Sequence, residues 1–331
     1  MVVNRPIYYA KTATELELPA IDVTHPAFNL DLTGAELREQ VTRFLADHER
    51  HMRIPRVLRD KLMRFALRNS PLGKTILASR GSVFGPIGTY VLKLGPQNLG
   101  SWATPIDRHI AESLPALAVR LRLQDMATLM ADSLLPALRV SRDRPLHFLN
   151  LAGGTAMDSL NALLVLRQED ANLLARPVAI DVLDRDSIGP EFGARALRAF
   201  QSPGAPFEGL AIAFRHVPWD WHRDGEILST TVAAARAAHA VAIVSSEGGL
   251  FEYGDDNEIT DALTRLGQED LVGVVGSVTR ADEPIRRLRQ DGLSAARPRG
   301  LETFRRLIAP TGWTISRVIE RPFSDHVTLS R

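Results

Sequence analysis

The chain has 331 residues, 45% of them hydrophobic, and 40 basic side chains against 39 acidic ones leave a formal charge of +1; that is enough apolar material for one or two cores and gives no overall pull toward nucleic acid or an anionic membrane. With no cysteine at all, disulfides, thiolate nucleophiles and cysteine-held metals are excluded, and a reducing compartment is favoured. The first twenty residues lack an apolar core of signal-peptide length, and no stretch reaches roughly 18 uncharged apolar residues, so a cytoplasmic protein without membrane spans is expected.

In chain order, 33–68 reads as helix, with Leu37, Val41, Phe44 and Leu45 on one face and an interruption near Ile54-Pro55. Glycines and prolines between 81 and 100 predict loop. Helical periodicity returns at Pro105 and is punctuated at Pro115 and Pro136, which predicts two or three helices ending near Arg139. Beyond Arg144 the pattern alternates. Strands are predicted at 146–152, 178–183, 210–217, 240–245 and 271–277, with helices at about 156–175, 189–200, 225–238, 256–266 and 301–308. Two last strands follow, 313–320 and 326–330. The fold class is therefore α/β, a doubly wound seven-stranded sheet, preceded by a mainly helical segment; the boundary is expected at 140/141.

The stretch LHFLNLAGGTAMD (146–158) carries the most information. It is a buried strand entering a glycine turn and then a helix, where Gly153 and Gly154 let the backbone approach a ligand and the helix offers free N–H groups. The second strand, PVAIDVL (177–183), ends at Asp184, whose carboxylate is placed to accept both hydroxyls of a ribose. Asp181, Arg185 and Asp186 share that segment, so the residue that faces the ligand depends on register. The last two strands are joined by only Arg321-Pro322-Phe323-Ser324-Asp325, too short for a parallel crossover, and must be antiparallel.

Five βα units ending in an antiparallel hairpin resemble the Rossmann-like fold of class I S-adenosylmethionine-dependent methyltransferases, over about 146–331. The glycine motif departs from the family pattern. Asn150 stands near the usual acidic position, and only Gly153 and Gly154 remain of a Gly-x-Gly-x-Gly run, followed by Thr155 and Ala156. The resemblance implies S-adenosyl-L-methionine as cofactor, bound by Gly153, Gly154, Thr155, Asp158, Asp184, Arg185, Asp220, Trp221, Ser245 and Ser246. By family position Asp220 would hold the adenine amino group, and Trp219 or Trp221 would pack on the ring; core packing is the plain alternative for these indoles. Methyl transfer asks mainly for positioning. Where a base helps, Glu247 and His222 are the candidates, and His216, inside a strand, reads as structural. Tyr253 and Phe251 are candidates for lining an acceptor pocket.

The resemblance also implies that 1–140 acts as a lid and dimerisation domain and 141–331 as the cofactor domain, with a small-molecule methyl acceptor and a homodimer. Three other readings stay open. One is a methyltransferase-like binding or assembly protein without catalysis. Another is an RNA methyltransferase, kept open by the basic stripe Arg50, Arg53, Arg56, Arg59, Lys61, Arg64 and Arg68, whose plain reading is a solvated helix face. The third is a nicotinamide-dependent oxidoreductase, disfavoured by the lack of Gly-x-Gly-x-x-Gly. Gly73-Lys74-Thr75 lacks the preceding glycine and strand of a phosphate loop. Asp255-Asp256 reads as a helix cap, and no metal site is indicated.

Overall fold

The structure, a computed structural model, describes residues 5–79, 84–290 and 294–331. A small hairpin opens it, β1 (Tyr9–Lys11) against β2 (Glu17–Pro19). Helices follow: α1 (Gly34–Met52), α2 (Arg56–Leu67), α3 (Pro71–Ala78), α4 (Pro86–Leu94), α5 (Pro105–Glu112) and α6 (Leu114–Val140). The alternating part runs β3 (Leu146–Leu151), α7 (Met157–Glu169), β4 (Val178–Asp184), α8 (Ile188–Phe200), β5 (Ile212–Pro218), α9 (Gly225–Ala237) and β6 (Val241–Ser246). It continues with α10 (Leu250–Tyr253), α11 (Asp256–Leu266), β7 (Gly273–Thr279), α12 (Glu283–Gln290), α13 (Gly300–Ile308), β8 (Thr314–Glu320) and β9 (Ser324–Ser330).

Among the described residues these strands form one seven-stranded sheet in the order β5-β4-β3-β6-β7-β9-β8. All neighbours are parallel except β9, which runs antiparallel to β7 and to β8. The expected doubly wound sheet with a reversed final strand is therefore present. Its central strands β3, β6 and β7 are buried throughout, as parallel strands covered on both faces must be, which is why they read as apolar runs.

Several ends are set by capping chemistry. Thr33 and Glu36 form a reciprocal capping box at α1, Thr104 and Asp107 do so at α5, and Asp255 and Glu258 at α11, each satisfying otherwise unpaired N–H groups. Asp255 is thus the helix cap that the sequence suggests. Gly73-Lys74-Thr75 lies within α3, with no strand leading into it.

Four expectations are corrected. The opening hairpin was not anticipated, because three-residue strands leave no periodicity to read. The region expected as loop between 81 and 100 contains α4, started by Pro86 at a first-turn position where the missing N–H costs nothing; the 80–83 part of that expectation lies outside the described residues. Pro136 does not end α6. It sits on an exposed face while Leu134 and Leu138 on either side are buried at 0% exposure, so packing carries the helix past the lost bond. The short helices α10 and α12 were also not anticipated.

The two halves are not separate cores. One apolar cluster joins Leu18, Ile21, Tyr90, Leu94, Met126 and Met130 to Phe148, Leu160, Leu163, Ile180 and Phe192. Helix α7 is the reason: residues 157–164 and Leu166 are buried and only its last turn, Arg167 to Glu169, is exposed, so its first two turns need cover all round. Asn161 completes the seam, accepting from Val23 N (2.7 Å) and donating to the Ile21 carbonyl (2.9 Å). No helix among the described residues is long and apolar enough to cross a membrane. The basic stripe falls on the end of α1 and along α2, a helix that also exposes Val57, Leu58, Leu62 and Phe65; the Arg68 guanidinium lies 4.2 Å over the Phe65 ring. The Arg56 side chain lies outside what is described.

Candidate functional site

The glycine turn after β3 has an unusual backbone. Ala152, Gly154 and Ala156 take φ of +53°, +59° and +48°, so every second residue is left-handed. Glycine adopts this conformation without strain, whereas alanine pays about 1 kcal/mol or more. The turn thus keeps the form of a Gly-x-Gly-x-Gly run, with alanines at its first and third places. Strained residues persist where the surrounding structure over-determines them, commonly at ligand sites. Ala156→Gly is expected to raise unfolding stability by about 1 kcal/mol in urea titrations; a loss of stability would show that the position is unstrained.

Asn150, fully buried, anchors this turn from the strand. Its Oδ1 accepts from Gly153 N (3.0 Å), and its Nδ2 donates to Asp158 Oδ1 (2.7 Å) and Ser245 Oγ (3.1 Å). On the other side Asp184 Oδ2 accepts from Gly154 N (3.0 Å) and Oδ1 from Asp186 N (2.9 Å). Helix α8 presses on the turn: a Cβ on Gly189 would lie 2.7 Å from the Gly154 carbonyl carbon, and one on Gly193 would lie 2.3 Å from the Thr155 oxygen. Glycine is required at both places by close approach. Pro86, at the start of α4, covers the outer side of Gly154.

The loop after β5 adjoins the same edge, since Trp219 N donates to the Asp184 carbonyl (3.2 Å). The structure therefore brings Gly153, Gly154, Asp184 and the Trp219–Trp221 loop together at the carboxyl ends of three parallel strands, where ligands of open α/β sheets sit. Asp184 is half-buried; burial pushes its carboxyl above the ordinary range, with the N–H groups of Asp186 and Gly154 opposing the rise. Trp219 is a core residue, 3% exposed, its indole N–H bonded to the Asp224 carbonyl. Trp221 is the freer of the two, packed edge-on at 6.2 Å with an unpartnered indole N–H. Asp220 accepts from the His222 N–H (3.1 Å), and Arg185 is exposed.

Four other candidates are buried, Thr155 within the turn and the rest beneath it. Thr155, Asp158, Ser245 and Ser246 are 3%, 0%, 1% and 0% exposed. Ser246 Oγ donates to the Leu151 carbonyl and accepts from Leu250 N, so it holds the loop after β6 against β3. Asp158 has one carboxylate oxygen without a hydrogen-bond partner. Burial first, and then the nearby Glu247 carboxylate, push its pKa up to about 6.

The two candidate bases stand in different surroundings. Glu247 is a counter-ion: it pairs with Lys93 of α4 at 2.5 Å and Arg122 of α6 at 2.9 Å, and its side chain is 0% exposed. Burial raises its carboxyl, but the two cations outweigh this and hold it below the usual range, leaving little basicity to offer. Arg122 reaches on to Glu252 (3.3 Å). His222 is half-exposed and pairs through Nδ1 with Glu258 of α11. His216 is structural as expected, its Nε2 donating to the Asp184 carbonyl (2.8 Å). Lys93 and Arg122 carried no sequence signal, since their partner lies more than a hundred positions away.

A cavity of about 730 Å³ opens between the N-terminal helices and the far half of the sheet edge, within the range of small-molecule sites. Phe44, Met63, Leu92, Leu114 and Phe323 supply apolar wall; Arg122, Glu252, Tyr253, Thr279 and Ser324 supply polar groups. Tyr253 lines it, as the sequence suggests, with its phenol pushed up to about 12 by burial and by Glu252. Phe251 does not; it is 1% exposed and packs on Phe304 at 5.1 Å.

No protein-family model and no curated protein sequence matches the chain. Among solved structures, a "possible exported protein" from Bordetella parapertussis is 17% identical, with 91% of this chain and 99% of that one covered at a TM-score of 0.52, and shares the fold. An O-methyltransferase family 2 protein from Planctomyces limnophilus, solved with apigenin, is 14% identical over 95% of this chain and 97% of its own at a TM-score of 0.37. A riboflavin-analogue dimethyltransferase, RosA, from Streptomyces davawensis is 12% identical over 68% and 59%, also at 0.37.

Proposed function

We propose that the chain transfers a methyl group from S-adenosylmethionine to a small molecule held in the cavity beneath the N-terminal helices. The observation that carries this reading is the turn at 152–156, whose alternating left-handed residues keep a cofactor-loop backbone even where the glycines are gone, at the carboxyl edge of a sheet whose final strand, β9, is reversed.

The residues present fit the cofactor's nucleoside. Each oxygen of Asp184 accepts a single main-chain N–H, which leaves a lone pair on each for two adjacent hydroxyls. Asp220 and Trp221 stand beside it for the base, and Gly153, Gly154 and Arg185 border the same edge. When bound, the cofactor supplies an already activated methyl group on its sulfonium. The chain's own part is to hold, orient and exclude water: α4 and α8 fix the turn, and the apolar walls keep the acceptor dry. Asp158, Ser245 and Ser246 take part by shaping the turn from below.

The test is calorimetric titration with S-adenosylmethionine and S-adenosylhomocysteine, with NAD(H) as control. Micromolar binding of the first pair is expected, weakened about tenfold to a hundredfold in Asp184→Ala by loss of charge-assisted hydrogen bonds. Binding of NAD(H) alone would overturn the reading. A second reading, a domain of this fold that binds without catalysis, is favoured by one observation: the N–H groups of Gly153 and Gly154 are both taken by side chains of the chain itself. Binding of neither cofactor would select it. A cytoplasmic location is supported by the absence of cysteine, and a homodimer by the exposed apolar residues of α2.

A further inference from the structure

A chain of polar groups on the cavity wall has no part in the cofactor edge. Ser324 and His326 lie two apart on β9 and so share a face. Ser324 Oγ is 3.2 Å from His326 Nε2, and His326 Nδ1 is 2.8 Å from Asp125 Oδ2 on α6. Arg321 clamps the same carboxylate through two bonds, of 2.7 Å and 2.9 Å. Burial raises the Asp125 carboxyl, but Arg321 and His326 outweigh it and hold it below the usual range. An ionised Asp125 accepts the hydrogen bond of Nδ1–H, so Nε2 is left as an acceptor and Ser324 donates to it. Asp325, between them, turns to the other face and pairs with Arg280 at 2.7 Å.

Ser324 also lines the cavity, while His326 is 0% exposed behind it. Thr279 is paired with Ser324 across the β7–β9 ladder, so the two side chains emerge side by side. Its Oγ1 is buried, has no hydrogen-bond partner, and belongs to a residue of the same cavity wall. A buried hydroxyl left unsatisfied is costly unless something else in the cavity pairs with it.

We propose that Ser324, His326 and Asp125 form a proton relay opening on the cavity, and that its natural occupant is a largely apolar molecule presenting an acidic hydroxyl, a hydroxylated arene. The occupant's O–H donates to Ser324 Oγ; its proton passes to the serine as the serine proton passes to His326 Nε2. The products are an oxyanion in the cavity, an unchanged serine, and an imidazolium facing Asp125. Thr279 Oγ1 donates to the same oxygen. A phenolic hydroxyl is acidic enough to give its proton to an imidazole when local hydrogen bonds hold the oxyanion, whereas an aliphatic alcohol is far too weak an acid. Ser324 touches the ligand, and His326 and Asp125 act through it. As an account of the acceptor this rests on the methyl-transfer reading, but its test uses no cofactor, so the two fail separately.

The full-length protein is titrated with 4-nitrophenol, whose phenolate absorbs in the visible, and with 4-nitroanisole, which has no proton to give. Wild type is expected to bind both and to raise the ionisation constant of bound nitrophenol about tenfold, one pK unit. Ser324→Ala and His326→Gln are expected to bind nitroanisole as wild type does, which establishes the cavity is intact, yet to leave bound nitrophenol ionising as in water. Nitrophenol that fails to bind wild type, or binds without a raised ionisation constant, overturns the proposal whatever the variants do. So does an unchanged ionisation shift in both variants.

Discussion

Glu247→Ala unfolds at a much lower urea concentration than wild type, by an expected 3–5 kcal/mol or about that scale. The carboxylate is the shared partner of Lys93, whose side chain is 4% exposed, and Arg122, at 12%. Removing it takes the shared counter-ion from two largely buried cations, and a buried charge left unpaired costs far more than the pair contributed when intact. Arg122 keeps Glu252 at 3.3 Å, whereas Lys93 loses its ion-pair partner among the described residues, so the damage falls mainly on α4 and its hold on the sheet. The double variant Lys93→Met, Glu247→Ala should recover a good part of the loss by removing the orphaned ammonium as well. Equal urea midpoints for Glu247→Ala and wild type would mean the network is solvated and the argument is wrong.

Asp158→Asn is expected to do the opposite and stabilise the protein at pH 7. A carboxyl whose folded pKa stands at about 6 against an ordinary 3.8 makes the folded state bind a proton that the unfolded chain has already released. Below the ordinary value both states are protonated and the group contributes no penalty. As pH climbs from 3.8 toward 6 the unfolded chain ionises first, and the penalty grows until it is complete above the folded value. Two units amount to about 3 kcal/mol, and the isosteric amide removes that while Oδ1 still accepts from Asn150 and Ser159 N, as the carboxylate does. Urea titrations at pH 7 and pH 4 check this: a gain at the first that shrinks toward zero at the second. A loss at pH 7 would show that the ionised form is held by something other than the described groups. Because Asp158 feels Glu247 directly, the two substitutions will not add.

The sheet was legible because its central strands are sheathed on both faces and therefore spell runs of Val, Ile and Leu, and because a five-residue connector cannot carry a parallel crossover. Asp184 could be placed for the same reason, being the last residue of such a run. What stayed hidden is what depends on distance through space. Nothing near Lys93 or Arg122 in sequence announces Glu247, and Ser324-x-His326 gains meaning only when α6 delivers Asp125 from 201 positions away. Between these extremes lies the turn at 152–156: small residues at every second place were there to be read, yet counting glycines alone made the motif look thinner than its backbone is. Trp219 stayed open for a different reason, since an indole at a strand end serves a core edge or a ligand equally well until its neighbours are known.

The place of β9 between β7 and β8 has a consequence for synthesis on the ribosome. β8 emerges first but has no partner in the sheet except β9, and β7 carries an open edge of unpaired backbone until residues 324–330 arrive. A nascent chain therefore exposes the apolar edge of β7 until β9 has been made, the kind of template that recruits other chains. The same strand brings His326 to Asp125, so the cavity wall acquires Ser324 and the groups behind it in the step that pairs β7 with β9.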